Sequence, residues 1–383
     1  MPEVHLIVVW SKGASENDRI ITDAKEKFQI LEEYHIKWSE KKFSENLSRF
    51  YGESLPRNSR KEKHCGNGTF LCLVVLDKAP VYEVRQTSKG DKVVNTNLFD
   101  VKQLYRRWTH GGHKVHATDN ATETKHQLAL LLNKSYTDYL QVDKFNGERI
   151  DIESDLQGTN GWKSLKEVFS VLNKAANYLV LRNYENIETQ LDALHPDIDT
   201  LCDDPHLFVR LINGKPTTRK KYRVQYSVSI GSKVVFFDVR YVGDNYYCSK
   251  WGRELLMKRA EFANMFVPDS EHYFYTLIYH ALLHKPNLSD DYFKKLVQLA
   301  SDLELDVNGP DFLENNLINR LTSYMDKNSY DYTVPLDHTV FWNYKLLPFM
   351  DSQNFSLMRK IAYEKYKVKF IVKKVLKKIG CYI

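Results

Sequence analysis

Apolar residues along this chain fall in short blocks with two alternating periods, and the changes of period mark out its elements. Val4–Trp10 is a nearly continuous apolar run of strand length. Glu16–Lys27 spaces its apolar residues as a helix does, and Gln29–Trp38 alternates in part, as a half-buried strand does. Ser39 ahead of Lys42–Phe50 reads as a capped helix, followed by a Gly/Pro/Asn-rich basic loop over Gly52–Gly68 and a third apolar strand at Phe70–Leu76. Phe99–Trp108 and Thr122–Leu132 have helical spacing, with Gly111 and Gly112 in the turn between them. This β-α-β-α-β order with further helix predicts an α/β unit, a ferredoxin-like sandwich, over residues 1–140.

Residues 141–161 are polar and carry Asn-Gly and Gln-Gly pairs, so they read as a linker. A second unit is expected over 162–350. Trp162–Asn177 is helical, Tyr178–Arg182 a short strand, and Asp197–Cys202 a strand interrupted by acids. Tyr222–Ile230 and Lys233–Val242 form a hairpin across Gly231-Ser232, a two-residue turn of the Gly-X kind. From Trp251 the chain is mostly helical, most clearly at Ser270–Leu283 and Ser289–Leu303, giving an α+β domain with a helical C-terminal part.

Residues 351–383 read as a basic amphipathic helix. Leu357, Met358, Ile361, Val368, Val372, Val375, Leu376 and Ile379 share one arc; Lys360, Lys367, Lys369, Lys373, Lys374, Lys377 and Lys378 take the rest, and Lys365 intrudes. Such a helix suits an anionic membrane surface, and equally suits docking on its own domain with a solvated basic face.

Composition adds three bounds. A chain of 383 residues is long for one core, and 43% apolar with 13% aromatic residues supplies enough material for two. Five cysteines without paired spacing, an immediate strand-like start and apolar runs no longer than a strand point to a reduced, cytoplasmic protein. The net charge of +6 is concentrated: Arg359–Lys378 alone carries nine basic residues and one acid, leaving a near-neutral body that argues against nucleic acid as the partner.

The chemistry-bearing pattern of the second unit is Asp197-Ile198-Asp199, two carboxylates on one face of a strand, followed by Asp238 in the apolar strand Val234–Val239. Three such carboxylates can hold Mg2+ or Mn2+ against the phosphates of a nucleotide; the same pattern also suits solvated strand faces. The basic loop Lys215–Arg223 is placed to steer an anion, or is simply an exposed hairpin tip. His280 and His284 lie one turn apart on a helix and read as polar packing groups.

The run Tyr178–Asn183, then Asp197-Ile198-Asp199, then Asp238, with the later helix Tyr273–Lys285, resembles the nucleotidyltransferase fold over roughly residues 162–303. It is most similar to uncharacterised bacterial nucleotidyltransferase-like proteins and to the fukutin-related and phosphocholine transferases. The resemblance implies a metal-dependent transferase with Asp197, Asp199 and Asp238 as catalytic and metal-holding residues. It would move a phospho-substituent or nucleotidyl group from a nucleotide-linked donor, with a glycan of surface polysaccharide as acceptor. Leu181-Arg182-Asn183 stands where that family has a Gly-Ser turn, making Arg182 and Asn183 candidate donor contacts. A nucleotidyltransferase acting on protein or RNA, and a non-catalytic nucleotide-binding regulator, remain alternative readings.

Gly112–Glu123, containing His116, with the following Gln127–Leu132, resembles the active-site segment of nucleoside diphosphate kinases, and the element order Val4–Leu132 agrees. The resemblance implies a phosphate-accepting His116 and an oligomer built through this domain. That family's phosphate-binding Lys falls on Trp10, with Lys12 the basic residue at hand; its Asn before the catalytic His falls on His113, and its orienting Glu on Gln127. His110, His113, His116 and His126 together form a candidate metal or phosphate cluster.

Overall fold

The structure is a computed structural model and describes residues 1–87, 90–142, 145, 147–190, 196–220, 222–305, 312–347, 360–361, 363–365, 368 and 372. The chain divides into two units, the first formed by 1–176, 206–214 and 229–232, the second by the remainder.

Unit 1 begins with β1 (Glu3–Val9), buried along almost its whole length, then α1 (Asn17–Lys27) and β2 (Gln29–Lys37). After α2 (Phe43–Phe50) and α3 (Arg60–Cys65) comes β3 (Phe70–Asp77), which pairs antiparallel with both β1 and β2. A hairpin of β4 (Tyr82–Thr87) and β5 (Gly90–Asn95) leads into α4 (Thr96–Trp108), capped by the Asn95 side chain accepting from the Leu98 amide. Then β6 (Val115–Ala117) pairs with β1, and α5 (Ala121–Leu132) is capped by Asn120. After the one-turn α6 (Tyr136–Tyr139), β7 (Arg149–Glu153) joins β2 in parallel, completing a sheet of order β6-β1-β3-β2-β7. Its continuous apolar strands are those buried on both faces; Ile7, Val9, Leu71, Leu73 and Val75 pack with Ile20, Ala24, Leu98 and Tyr105 of α1 and α4.

Three expectations are corrected here. The stretch 52–68 is not all loop. Ser59-Arg60-Lys61-Glu62 has capping-box spacing, and Ser59 accepts from the Glu62 amide at 3.2 Å to start α3. Ser39 does not cap a helix; its hydroxyl donates to Asp155 at 2.8 Å, and a short 3-10 turn at Glu40–Lys42 precedes α2. The expected linker is not a linker and the domain boundary lies later. β7 fills a sheet edge, and α7 (Leu165–Ala175) buries Leu165, Val168, Phe169, Val171 and Leu172 and packs on α5 within unit 1.

Unit 2 opens with β8 (Tyr178–Val180), the one-turn α8 (Ile187–Gln190) and β9 (Asp197–Cys202). The next helix, α9 (Pro205–Leu211), belongs to unit 1 from His206 onward. β10 (Lys215–Pro216), β11 (Gln225–Ile230) and β12 (Lys233–Tyr241) complete a second sheet of order β10-β11-β12-β9-β8. β9 lies antiparallel to β8 but parallel to β12. The rest is α10 (Ser249–Met257), a small hairpin of β13 (Ala260–Phe262) and β14 (Met265–Val267), then α11 (Ser270–Leu283), α12 (Asp290–Asp302) and α13 (Glu314–Asn328). α11 is apolar on all sides, as a central helix must be, and Phe274, Leu277, Ile278 and Leu282 sit in the core with Trp251 and Leu321.

Cys65, Cys72, Cys202 and Cys248 are buried free thiols, and no described helix is long and apolar enough to cross a membrane. Leu357, Met358, Lys367, Lys369, Lys373, Lys374, Val375, Leu376, Lys377, Lys378 and Ile379 lie outside the described residues.

Candidate functional site

The acids of unit 2 meet because β9 and β12 run parallel in one register. Asp199 stands opposite Asp238 and Asp197 opposite Phe236, so the period-2 alternation of each strand puts all three carboxylates on one face. They line a cleft of about 520 Å3 with Arg182, Asn183, Arg223, Arg240, Tyr246, His280 and Lys285.

The cationic wall takes hold of the acids directly. Arg182, just past β8, lies 2.7 Å from Asp199 and donates to the Tyr246 hydroxyl at 3.2 Å. Tyr246 sits 2.8 Å from Nδ1 of His280, whose Nε2 lies 3.1 Å from the Tyr292 hydroxyl. Because a guanidinium only donates, the pattern that satisfies every group has Tyr246 donating to Nδ1 and Nε2–H donating to Tyr292. Burial, aided by Arg182 and Lys285, keeps His280 neutral, well below the ordinary histidine range. Arg223 and Arg240 stand 3.8 and 3.6 Å from Asp238, and both also reach Asp337 at 3.3 Å.

Asp238 keeps one oxygen, Oδ1, buried with no hydrogen bond among the described residues. Burial first, then the repulsion of Asp199, pushes its carboxyl above the ordinary range against the pull of Arg240 and Arg223. Asp197 is raised likewise by enclosure in the cleft and by Asp199 and Asp238.

Among the described residues no group of three His, Cys, Asp or Glu side chains is arranged to hold a metal ion; Asp199 is ion-paired with Arg182 and Asp238 is flanked by two arginines. Asn183 lines the cleft in a left-handed conformation (φ 58°), and its side chain accepts from Lys295 at 3.3 Å. Within the basic loop Arg223 reaches the site, whereas Lys215 is exposed on β10 and Lys221 is outside the described residues. The His284 ring lies 4.1 Å from the Tyr246 ring, tilted by 49°, and lines the same cleft as His280.

Sequence reading missed Arg240, Tyr246, Lys285, Tyr292 and Asp337. Arg240 had a local signal, two residues after Asp238 and therefore on its face. Asp337 had none, since it arrives from a loop 97 residues along the chain from Arg240.

Unit 1 holds a second cleft, of about 330 Å3, lined by Tyr51, Lys61, Lys102, Arg106, His113, His116 and Asp119 among others. His116 is buried on β6 against the rings of Phe50 and Tyr51. The Gln127 amide nitrogen donates to Phe50 O at 3.4 Å, so its oxygen accepts from Nε2–H of His116 at 3.1 Å, leaving the lone pair on Nδ1. Burial, then Lys102 and Arg106, hold this imidazole neutral far below its ordinary range. Trp10 is fully buried among Trp38, Phe43, Phe50 and Phe70 and donates to the Tyr51 hydroxyl at 2.9 Å, so a ring fills the position where a lysine was sought. Lys12 is exposed and does not line the cleft. His113 joins His64 rather than His116, their rings 5.5 Å apart, and the four histidines form no metal group among the described residues.

Comparison of the chain with protein-family models, with curated proteins and with solved structures gives no match.

Proposed function

We propose that unit 2 is a phosphorus-group transferase of the nucleotidyltransferase type, taking a nucleotide-linked donor and delivering a phospho-substituent or nucleotidyl group to an acceptor such as a glycan. The observation that carries this reading is the in-register pair Asp199 and Asp238 on parallel strands, facing one cleft that also presents Arg182, Arg223 and Lys285. Unit 1, with its β6-β1-β3-β2 strand order, fits the ferredoxin-like architecture of the kinase resemblance and serves in this reading as a binding domain.

The donor set suits a hard divalent cation, Mg2+ or Mn2+. Asp238 offers a buried oxygen that lacks a hydrogen bond, Asp197 is a second oxygen ligand, and Asp199 becomes a third when Arg182 turns to a donor phosphate. When bound, such an ion supplies charge neutralisation at the transferred phosphorus. The chain's own part is to hold the donor. Arg182, positioned by Tyr246 and His280, and Arg223, positioned by Asp337, are forked cations that match phosphate oxygens. Three carboxylates against four cations in the lining leave the cleft nearly balanced, so a diphosphate and a dication can enter together without a large charge excess.

The Arg182–Asp199 pair favours a second reading, a nucleotide-binding regulator that works without metal. Thermal melts separate the two. Mn2+ at about 100 times its dissociation constant stabilises the wild type by about 2.7 kcal/mol if the site exists. Asp238→Asn should lose that shift while its metal-free melt stays equal or rises slightly, since the raised carboxyl no longer carries charge. If Mn2+ shifts both proteins alike or neither, the transferase reading is wrong; nucleotide binding that persists without metal then establishes the regulator.

A further inference from the structure

Arg182, Tyr246, His280 and Tyr292 come from four parts of unit 2: the end of β8, the loop after β12, α11 and α12. They form one hydrogen-bonded chain with steps of 3.2, 2.8 and 3.1 Å, buried as far as His280 and half-buried at Tyr292. Enclosure fixes the direction of each bond. With the opposite histidine tautomer, Nδ1–H would aim at the oxygen that already accepts from Arg182, and the Tyr246 proton would be stranded in the interior. The protons therefore run from Arg182 toward α12. The chain ends on a hydroxyl whose oxygen accepts from His280 and whose own proton has no acceptor among the described residues. Tyr292 lines the acidic cleft, and so does Asp199, which is ion-paired with Arg182 at 2.7 Å. Both ends of the chain thus open into one cleft with opposite polarity, a carboxylate that accepts and a hydroxyl that donates.

A structural role explains the oxygen of Tyr292, which satisfies the His280 N–H, but gives no use to its proton. The surroundings indicate what would take it. Lys285, on the loop after α11, lines the same cleft and makes no hydrogen bond or ion pair among the described residues, and Arg182 adds a forked cation. The acids alone would repel an anion, but Arg182 already offsets Asp199, and Arg223 and Arg240 flank Asp238. A hydroxyl that donates in the company of cations matches a negatively charged oxygen. We propose that the Tyr292 hydroxyl, with Lys285 and Arg182, forms an oxyanion subsite that seats a phosphate group of the cleft's ligand. His280 is its positioning residue, acting through the direction in which Tyr292 donates. The choice of phosphate rests on the transferase reading of unit 2; the polarity of the chain does not.

Titration calorimetry of the full chain with inorganic pyrophosphate, in metal-free buffer and again with Mn2+, tests it. The wild type is expected to bind in at least one of the two buffers. Tyr292→Phe, which keeps the ring and loses the hydroxyl, should bind about tenfold or more weakly in that buffer. His280→Gln keeps an N–H near the place of Nε2 and should retain most of the affinity. His280→Met, of similar length without the donor, should fall to the level of Tyr292→Phe; a role in packing alone would make the two histidine variants equal. Tyr292→Phe decides alone if a histidine variant does not fold. No pyrophosphate binding in either buffer, a Tyr292→Phe isotherm equal to the wild type's, or equal affinities for folded His280→Gln and His280→Met overturns the proposal. Failure of the transferase reading gives a different result: Mn2+ shifts no melt, yet pyrophosphate binding still follows the Tyr292 hydroxyl.

Discussion

His116 is enclosed by groups that on balance disfavour its charge: the protein interior, Lys102 and Arg106 outweigh the bond to Gln127 and the Glu123 carboxylate 3.9 Å away. Its folded-state affinity for a proton is thus depressed relative to the unfolded chain. Stability from this group is complete above the ordinary histidine range, near pH 6.5, and is lost as pH falls toward the depressed folded value. Each fully shifted histidine steepens that loss by up to about 1.4 kcal/mol per pH unit. Denaturant melts between pH 7.5 and 5 should therefore show a shallower acid loss for His116→Gln than for the wild type, with a residual slope from His5 and His280, which are depressed by burial as well. Equal slopes would mean that His116 is solvated. The same contact limits chemistry, because a glutamine amide orients an imidazole without balancing the imidazolium.

Among elements, the strands and helices that bury one face or both were legible from their spacing: β1, β3, β9 and α11 lie within a residue or so of where periodicity put them. The β4–β5 hairpin escaped because its residues are mostly exposed and polar, leaving little apolar alternation to read. β7, of sequence RIDIE, alternates at Ile150 and Ile152, but it is a five-residue exposed edge strand set in a polar, Gly-bearing stretch, which hides so short a signal. Besides its pairing with β2, it is anchored by a carboxylate just beyond its end. Asp155 accepts from the Ser39 amide and hydroxyl at 2.9 and 2.8 Å, from Asn46 at 2.6 Å and from Asn160 at 3.0 Å. Asp155→Ala leaves those donors without their acceptor and should cost about 1–3 kcal/mol in a urea melt. A cost near zero would show that the segment is the loose tether its composition suggested. For the acidic cleft, the sequence showed which acids share a face and pointed to Arg182 and the loop of Arg223; that these arginines pair with the acids across strands and loops has no local signature.

Over the whole molecule the decisive feature is that unit 1 is not one continuous stretch. Residues 206–214 complete it after the chain has begun unit 2. Arg49, fully buried, donates to the carbonyls of Arg210 and Leu211 at 3.1 Å and to Thr159 at 2.8 Å, and burial lowers its guanidinium to about 10. Trp162 donates its indole N–H to the Ile212 carbonyl at 2.8 Å. A fragment ending at Ala176 strands that arginine with one acceptor of three, a loss of about 3–5 kcal/mol for a buried charge deprived of partners. Hydrogen exchange should find the fragment's α2 amides poorly protected compared with those of the full chain, and equal protection would contradict this account. The consequence reaches back to biosynthesis. On a ribosome adding about 5–20 residues per second, the interval between residue 176 and residue 212 lasts about 2–7 s. For that time the nascent first unit has emerged in bulk yet lacks the carbonyls that its arginine and indole require. A pause in translation within 177–205 would hold it in that unfinished state, so the timing of synthesis, as much as the sequence, decides when this protein's first unit is safe from misassembly.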